Sequence, residues 1–152
     1  MTLIVNLFER PELVTPVAIL IYEEFWVDAV NGMSQADLVA HLRTAATART
    51  MPISLIALVD DRLAGCVNLI ENDDENRAHL RPWLAAMVVR SDLRGQGVGT
   101  ALVRAILAEA RQMRIPAIYL GTDGPGFYER LGALRHEHVR DDFAIMKFSL
   151  TL

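Results

Sequence analysis

The sequence has little of what several classes of protein require. It contains one cysteine, Cys66, so no disulfide can form within the chain, which is typical of a reducing compartment. Acidic residues outnumber basic ones by 19 to 15, and a net charge of −4 leaves no basic surface for nucleic acid. No run of about eighteen apolar residues is present, and residues 1–6 lack the pattern of a signal peptide. We therefore expect a cytoplasmic protein that binds neither nucleic acid nor membranes.

The chain does have enough apolar residues to bury a core of its own. Hydrophobic residues make up 52% of the sequence and no repeat or linker divides it, so we expect a single domain over residues 1–152. Apolar spacing predicts a first helix from Val14 through Phe25, and Ser34 with Asp37 forms a capping pattern that predicts the start of a second. The whole chain follows the order β-α-α-β-β-β-α-β-α-β-β.

The most informative segment is a glycine-rich stretch between a predicted strand, residues 83–89, and a predicted helix, residues 100–114. Gly95, Gly97 and Gly99 carry no Cβ that would keep a phosphate away from the main chain. The first N–H groups of a helix lack intrahelical partners and lie at the positive end of the helix dipole. This arrangement predicts a binding site for a diphosphate.

Two kinds of phosphate ligand fit this stretch less well. A nucleoside-triphosphate loop needs Lys and then Ser or Thr directly after its last glycine, and no Lys follows Gly99, so kinase or ATPase chemistry is not expected. A dinucleotide site needs a third glycine where this chain has Thr100, and an acid at the end of the next strand, where none precedes Asp123. Dinucleotide binding stays open as an alternative.

Two motifs resemble those of one family. Residues 94–99, Arg-Gly-Gln-Gly-Val-Gly, are similar to the Arg-x-x-Gly-x-Gly pyrophosphate loop of the GNAT superfamily of acyl-CoA-dependent N-acyltransferases. Residues 127–132, Phe-Tyr-Glu-Arg-Leu-Gly, resemble a second signature of that superfamily, with Ala133 where an aromatic residue is usual. The resemblance implies an α/β fold, in which about four helices flank a central mixed sheet of about six to seven strands.

The resemblance also implies how acetyl-CoA binds as co-substrate. In the GNAT fold, the strand before the loop and the strand after the helix splay apart, and the pantetheine arm pairs with strand backbone between them. This places the pantetheine on the main chain of Met87, Val88 and Val89, with the Val88 N–H as the donor to the oxyanion. The pyrophosphate would lie on Arg94, Gly95, Gln96, Gly97, Val98, Gly99 and Thr100.

The reaction implied by the resemblance is direct acetyl transfer in a ternary complex, to a primary amine of a small molecule or a peptide N-terminus. Tyr128 is then the acid that protonates the leaving thiolate, since a phenol keeps its proton at neutral pH. A carboxylate would take the proton of the amine. The candidates in the acidic loop are Glu71, Asp73, Asp74 and Glu75, of which Glu71 is the first choice, and Asp123 is a second candidate. A covalent acyl-cysteine route through Cys66 is a further alternative.

The remaining expectations concern partners. No group of His and Cys residues has the composition of a metal site, so no metal is expected. The acidic residues at 71–76 favour a cationic acceptor. A homodimer is common in the superfamily and is possible here. The alternative class of function is a non-catalytic acyl-CoA-binding sensor or interaction module, which would release no coenzyme A when an amine is supplied.

Overall fold

A computed structural model describes residues 1–47 and 50–150, so four residues of the predicted single domain lie outside the described part. Within that part, the elements follow the predicted order. The strands are β1 (Thr2–Asn6), β2 (Ile53–Val59), β3 (Arg62–Ile70), β4 (Trp83–Val89), β5 (Ala117–Thr122), β6 (Leu134–Arg140) and β7 (Phe143–Ser149). The helices are α1 (Val14–Ile21), α2 (Gln35–Ala45), α3 (Val98–Gln112) and α4 (Pro125–Arg130).

The strands form one mixed sheet in the order β1-β2-β3-β4-β5-β7-β6. Neighbouring strands are antiparallel except β4 and β5, which are parallel. Among the described residues, Trp83 and Tyr119 are the one pair that joins β4 to β5. Because both strands run in the same direction from this pair, the sheet opens toward their carboxyl ends, as the predicted splayed pair requires.

A bulge in β4 marks the start of the opening. Ala86 has a φ of +48°, and the register between β3 and β4 shifts at this point. Before the bulge Ala85 pairs with Asn68, and after it Val88 pairs with Cys66. A bulge inserts one extra residue into a strand, so the alternation of side chains and backbone groups is reversed beyond it.

The two faces of the sheet bury separate apolar clusters. α3 and α4 cover one face, where Leu102 and Ile106 are completely buried. α1 and α2 cover the other face, on which Val17 is completely buried. α2 begins as predicted, because the Oγ of Ser34 accepts the Asp37 N–H and the Asp37 carboxylate accepts the Ser34 N–H, both at 3.0 Å. These two hydrogen bonds fix the start of α2.

The first helix differs from the prediction in its last turn. α1 is regular to Ile21, and Tyr22–Trp26 continue as a π turn, in which the Val27 N–H donates to the Tyr22 carbonyl at 2.9 Å. A π turn takes up an extra residue, which rotates the side chains that follow, and it brings Glu24 to the glycine loop. None of the helices within the described residues has the length and apolar character needed to span a bilayer.

Candidate active site

A cavity of about 610 Å³ lies against the carboxyl end of β4, the strand that diverges from β5. The end of β4, the glycine loop, the first turn of α3, and Phe127 and Arg130 of α4 form most of its wall. Gln96, one of the residues predicted to hold the pyrophosphate, is exposed and does not line it. The other residues predicted for acetyl-CoA do line the cavity: Met87, Val88, Val89, Arg94, Gly95, Gly97, Val98, Gly99 and Thr100.

The glycine loop ends at a helix N-terminus with free donors. Gly95 and Gly97 have φ values of +77° and +84°, a region that residues with a Cβ avoid. α3 starts directly after Gly97, two residues earlier than predicted, and its first hydrogen bond runs from the Ala101 N–H to the Gly97 carbonyl at 3.0 Å. The N–H groups of residues 98–100 therefore have no helical partner, which is the arrangement that binds anions.

The backbone of β4 beyond the bulge points alternately to β3 and to the cavity. The Arg90 N–H donates to the Ala64 carbonyl of β3 at 2.7 Å. Val88 pairs with β3 in the same ladder, so its N–H and C=O point to β3 as well. Met87 and Val89 therefore present their backbone groups to the opening. The predicted role of the Val88 N–H as oxyanion donor is not supported, because a donor bound within the sheet is not free for a ligand.

Arg94 reaches across the end of β4. Its Nε donates to the Val89 carbonyl at 2.9 Å, and its Nη2 lies 3.2 Å from the Oε2 of Glu24 in the π turn. About half of the Arg94 side chain, 53%, is exposed. The loop motif predicts that Arg94 lies beside the pyrophosphate. It does not predict that Glu24 pairs with Arg94, because Glu24 belongs to a distant part of the sequence.

Tyr128 lies in the core behind the cavity. It is 8% exposed, and its ring packs edge-on against Phe127 at 5.0 Å and Phe148 at 6.4 Å between ring centroids. Phe127 lines the cavity, whereas Tyr128 does not. Burial raises the pKa of the Tyr128 phenol to about 12. Its hydroxyl makes no hydrogen bond within the described residues. The phenol is therefore a protonated group with no fixed acceptor.

The acidic loop after β3 is fixed to the far edge of the sheet. Arg77 donates to Asp74 at 2.7 Å and, through Nε, to Glu137 of β6 at 3.0 Å. Since β4, β5 and β7 lie between β3 and β6, the loop crosses three strands to make this contact. The loop therefore passes the base of the opening between β4 and β5. No sequence signal predicts the contact with Glu137, because the partners are 60 residues apart.

The structure does not bring the two predicted bases together. Glu71 is exposed and follows β3, whose end lies beside the start of β4. Asp123 is exposed and follows the carboxyl end of β5, at the other end of the opening. Asp73, which the sequence predicts as a base after Glu71, is also exposed, and its pKa is raised to about 6 by partial desolvation and then by the charge of Asp74.

Small residues form the floor of the opening on the α1 side of the sheet. Ala85 is partly exposed and Gly121 is exposed, and each lies two residues beyond the pair that joins β4 to β5, on the same face of its strand as that pair. Phe143 packs over Gly121, where an added Cβ would lie 2.7 Å from the ring. The buried Asn68 pairs with Ala85 in the neighbouring strand. Small and partly exposed residues therefore lie beyond the joining pair on the side of the sheet away from α3.

Cys66 is completely buried, and burial raises the pKa of its thiol to about 12. A thiol in this state is a poor nucleophile, because the thiolate is the reactive form. The structure therefore speaks against the acyl-cysteine alternative. Within residues 1–47 and 50–150, no group of three or more His, Cys, Asp and Glu side chains is arranged to hold a metal ion.

The chain is similar to known proteins in sequence. Residues 19–133 match the family described as Acetyltransferase (GNAT) family, and the chain belongs to this family. It is 32% identical over 91 residues to N-alpha-acetyltransferase 30 of Schizosaccharomyces pombe (strain 972 / ATCC 24843). That match covers 57% of the chain and 60% of the length of the relative. The family predicted from the two motifs is confirmed.

Solved structures show the same fold. An aminoglycoside 6'-N-acetyltransferase complexed with coenzyme A has a TM-score of 0.77 at 20% identity, covering 99% of this chain and 98% of that one. PaiA N-acetyltransferase from Thermoplasma acidophilum, in complex with coenzyme A, has a TM-score of 0.71 at 15% identity, covering 98% and 99%. At these identities the likeness establishes the fold alone, which confirms the predicted α/β architecture.

Proposed function

We propose that the chain transfers an acetyl group from acetyl-CoA to a primary amine, by direct attack of the amine in a ternary complex. The observation that carries the proposal is the opening between β4 and β5, to which Met87 and Val89 present backbone groups that neither neighbouring strand pairs, with the N-terminus of α3 at its end. Membership of the acetyltransferase family supports acetyl-CoA as the co-substrate, as do fold neighbours solved with coenzyme A.

The cavity matches the two parts of the cofactor that differ in chemistry. The pantetheine arm has amide groups, which would pair with the free edge of β4 as an added strand does. The pyrophosphate would accept hydrogen bonds from the N–H groups of residues 98–100, where the positive end of the dipole of α3 stabilises a negative charge. Gly95 and Gly97 hold the loop in the conformation that this contact needs.

The transfer moves one proton from the amine and gives one to the leaving group. The amine nitrogen attacks the thioester carbonyl carbon, an N–H of Met87 or Val89 donates to the oxyanion, and the carbon–sulfur bond then breaks to release a thiolate. Tyr128 would protonate that thiolate. Its raised pKa keeps the proton in place and also makes it a weaker acid, so the role requires a thiolate whose own pKa is raised by desolvation. It further requires the hydroxyl to be reachable from the cavity once the cofactor is bound.

A carboxylate of the acidic loop is the proposed base. Asp73 is the first candidate for the base, ahead of Glu71 and Asp123. A carboxylate with a pKa of about 6 is mostly ionised at neutral pH, and it accepts a proton more readily than a carboxylate with an unshifted pKa. The contact between Arg77 and Glu137 supports this assignment, since it holds the loop over the base of the opening.

A peptide N-terminus is the first acceptor class to test, and small polyamines and aminoglycosides are the second. The S. pombe relative is named an N-alpha-acetyltransferase and a fold neighbour is named an aminoglycoside acetyltransferase. The negative charges of Glu71, Asp73 and Glu75, in the loop that passes the base of the opening, support a cationic acceptor of either class.

The test is release of coenzyme A from acetyl-CoA in the presence of short peptides with free N-termini, polyamines, aminoglycosides and amino acids. We expect release with one class, together with a mono-acetylated amine. The Cys66→Ala variant should keep the rate, since the buried thiol takes no part. Binding of acetyl-CoA without release in any of these reactions would contradict the transferase and favour the non-catalytic sensor.

A further inference from the structure

Arg94 and Glu24 make a contact that the transfer reaction does not need. Both residues line the cofactor cavity, and both also line a neighbouring cavity of about 680 Å³ between α1 and the end of β4. Glu24 reaches this boundary because of the π turn that ends α1, an irregularity that often marks functional segments. A carboxylate is unexpected in the wall of a diphosphate site, because like charges repel.

Arg94 also occupies a group that the cofactor would use. Its Nε donates to the Val89 carbonyl at 2.9 Å. That carbonyl faces the opening between β4 and β5, where the amide groups of pantetheine would pair with the strand. The guanidinium therefore covers part of the free edge of β4, while Glu24 holds it there at 3.2 Å.

We propose that Glu24 is a positioning residue for cofactor binding: in the free protein it holds Arg94 on the Val89 carbonyl, and acetyl-CoA binds by taking Arg94 from it. The pyrophosphate replaces Glu24 as the partner of the guanidinium, and the pantetheine amide replaces Arg94 on the Val89 carbonyl. The inference rests on the proposed function, because it needs acetyl-CoA in this cavity.

Two effects of Glu24→Gln on acetyl-CoA binding have the same sign. The change removes a charge that repels the pyrophosphate, and it weakens the hold on Arg94, so acetyl-CoA binds more tightly. If the ion pair only supported the loop, its loss would disorder the anion site and weaken binding. Because both side chains are about half exposed, 53% and 42%, the expected gain in affinity is up to about fivefold.

Glu23→Gln is the matched control. Glu23 is the preceding residue of the same π turn, it carries the same charge, and it lines the neighbouring cavity but not the cofactor cavity. Among the described contacts it has no ion pair with Arg94. Replacing Glu23 with Gln therefore tests the general effect of losing one negative charge. We expect this variant to change the affinity for acetyl-CoA by less than about twofold.

The experiment is titration calorimetry of acetyl-CoA with the wild-type protein, Glu24→Gln and Glu23→Gln, each with Arg94 intact and in an Arg94→Ala background. We expect Glu24→Gln to bind more tightly than Glu23→Gln when Arg94 is present, and the difference to become smaller when Arg94 is absent, because only the direct repulsion between Glu24 and the pyrophosphate then remains. Glu24→Gln binding no more tightly than Glu23→Gln, or a gain of the same size with and without Arg94, overturns the inference and leaves the proposed function intact. A wild-type protein that binds no acetyl-CoA overturns both.

Discussion

Trp83 and Tyr119 pair at the base of the opening between β4 and β5, with ring centroids 6.1 Å apart and ring planes at 50°. Just beyond this pair, the bulge at Ala86 directs the backbone groups of Met87 and Val89 into the opening. Backbone groups within a sheet need hydrogen-bond partners, and here neither neighbouring strand supplies them. The free edge is therefore a place where a ligand with amide groups gains binding energy.

Tyr128→Phe tests the acid. If the phenol protonates the leaving thiolate, kcat falls by about 100-fold while the KM for acetyl-CoA changes by less than about threefold. The melting temperature should stay the same, because the hydroxyl makes no hydrogen bond within the described residues. Tyr22→Phe makes the same chemical change outside the cavity and should be neutral. An unchanged kcat for Tyr128→Phe would exclude the role.

Gly97→Ala tests the conformation of the loop. At a φ of +84° an added Cβ is strained, so we expect a loss of about 1–2 kcal/mol in the free energy of unfolding and weaker binding of acetyl-CoA. Gly126→Ala is the control, since its Cβ would be in ordinary contact within α4 and alanine favours a helix, with an expected gain of about 0.5–1 kcal/mol. Urea unfolding and calorimetry measure both. If the two variants changed the free energy of unfolding and acetyl-CoA binding equally, the conformation at Gly97 would not be needed for either.

Asp73→Asn changes how stability depends on pH. Because the pKa of Asp73 is raised to about 6 in the folded protein, folding favours the protonated carboxyl, and stability falls as the pH rises from about 4 through 6. The variant cannot ionise, so its unfolding midpoint should decline less over this range than that of the wild type. Asp142→Asn makes the same change in the exposed turn after β6, and it is the control for the unfolding midpoints of Asp73→Asn. Parallel profiles for Asp73→Asn and the wild type would contradict the raised pKa.

The same variant tests the proposed base. In the wild type, kcat/KM for the acceptor should fall as the pH drops below about 6, where the Asp73 carboxylate takes up a proton. Asp73→Asn should lower kcat/KM at neutral pH and remove this fall at acidic pH, whereas Glu71→Gln should keep the fall. If kcat/KM of Asp73→Asn still falls below pH 6, another group is the base.

Arg77→Met tests whether the acidic loop must be held in place. Losing the contacts with Asp74 and Glu137 frees the loop, so kcat/KM for the acceptor should fall by about tenfold, while the dissociation constant of acetyl-CoA is unchanged. Arg135→Met removes a longer, exposed ion pair of 3.8 Å and should leave both quantities as they are. A matching loss of acetyl-CoA affinity in Arg77→Met would instead indicate a general disturbance of the sheet.

Local sequence patterns predicted the elements of the fold and the cofactor loop. Ser34 and Asp37 cap α2 as their spacing requires, and the glycines lead into α3, because turns and caps depend on residues close together in the chain. The order of elements and the family motifs then gave the α/β architecture.

Features that depend on distant residues were not predictable. The bulge at Ala86 and the π turn at Tyr22–Trp26 break the periodicities on which strand and helix prediction rely, so the backbone direction at Val88 was missed. The partner of Arg94 is 70 residues away from it in the sequence, and it becomes a neighbour only in the folded chain. The raised pKa of Asp73 likewise depends on its surroundings.

The most direct test of the account is amide hydrogen exchange, measured by NMR with and without acetyl-CoA. The central claim is that Met87 and Val89 present free backbone N–H groups to the cofactor, while the Val88 N–H belongs to the ladder with β3. We predict that acetyl-CoA slows exchange at Met87 and Val89 and leaves the already protected Val88 unchanged. Unaltered exchange at Met87 and Val89 in the cofactor-bound protein would contradict the account.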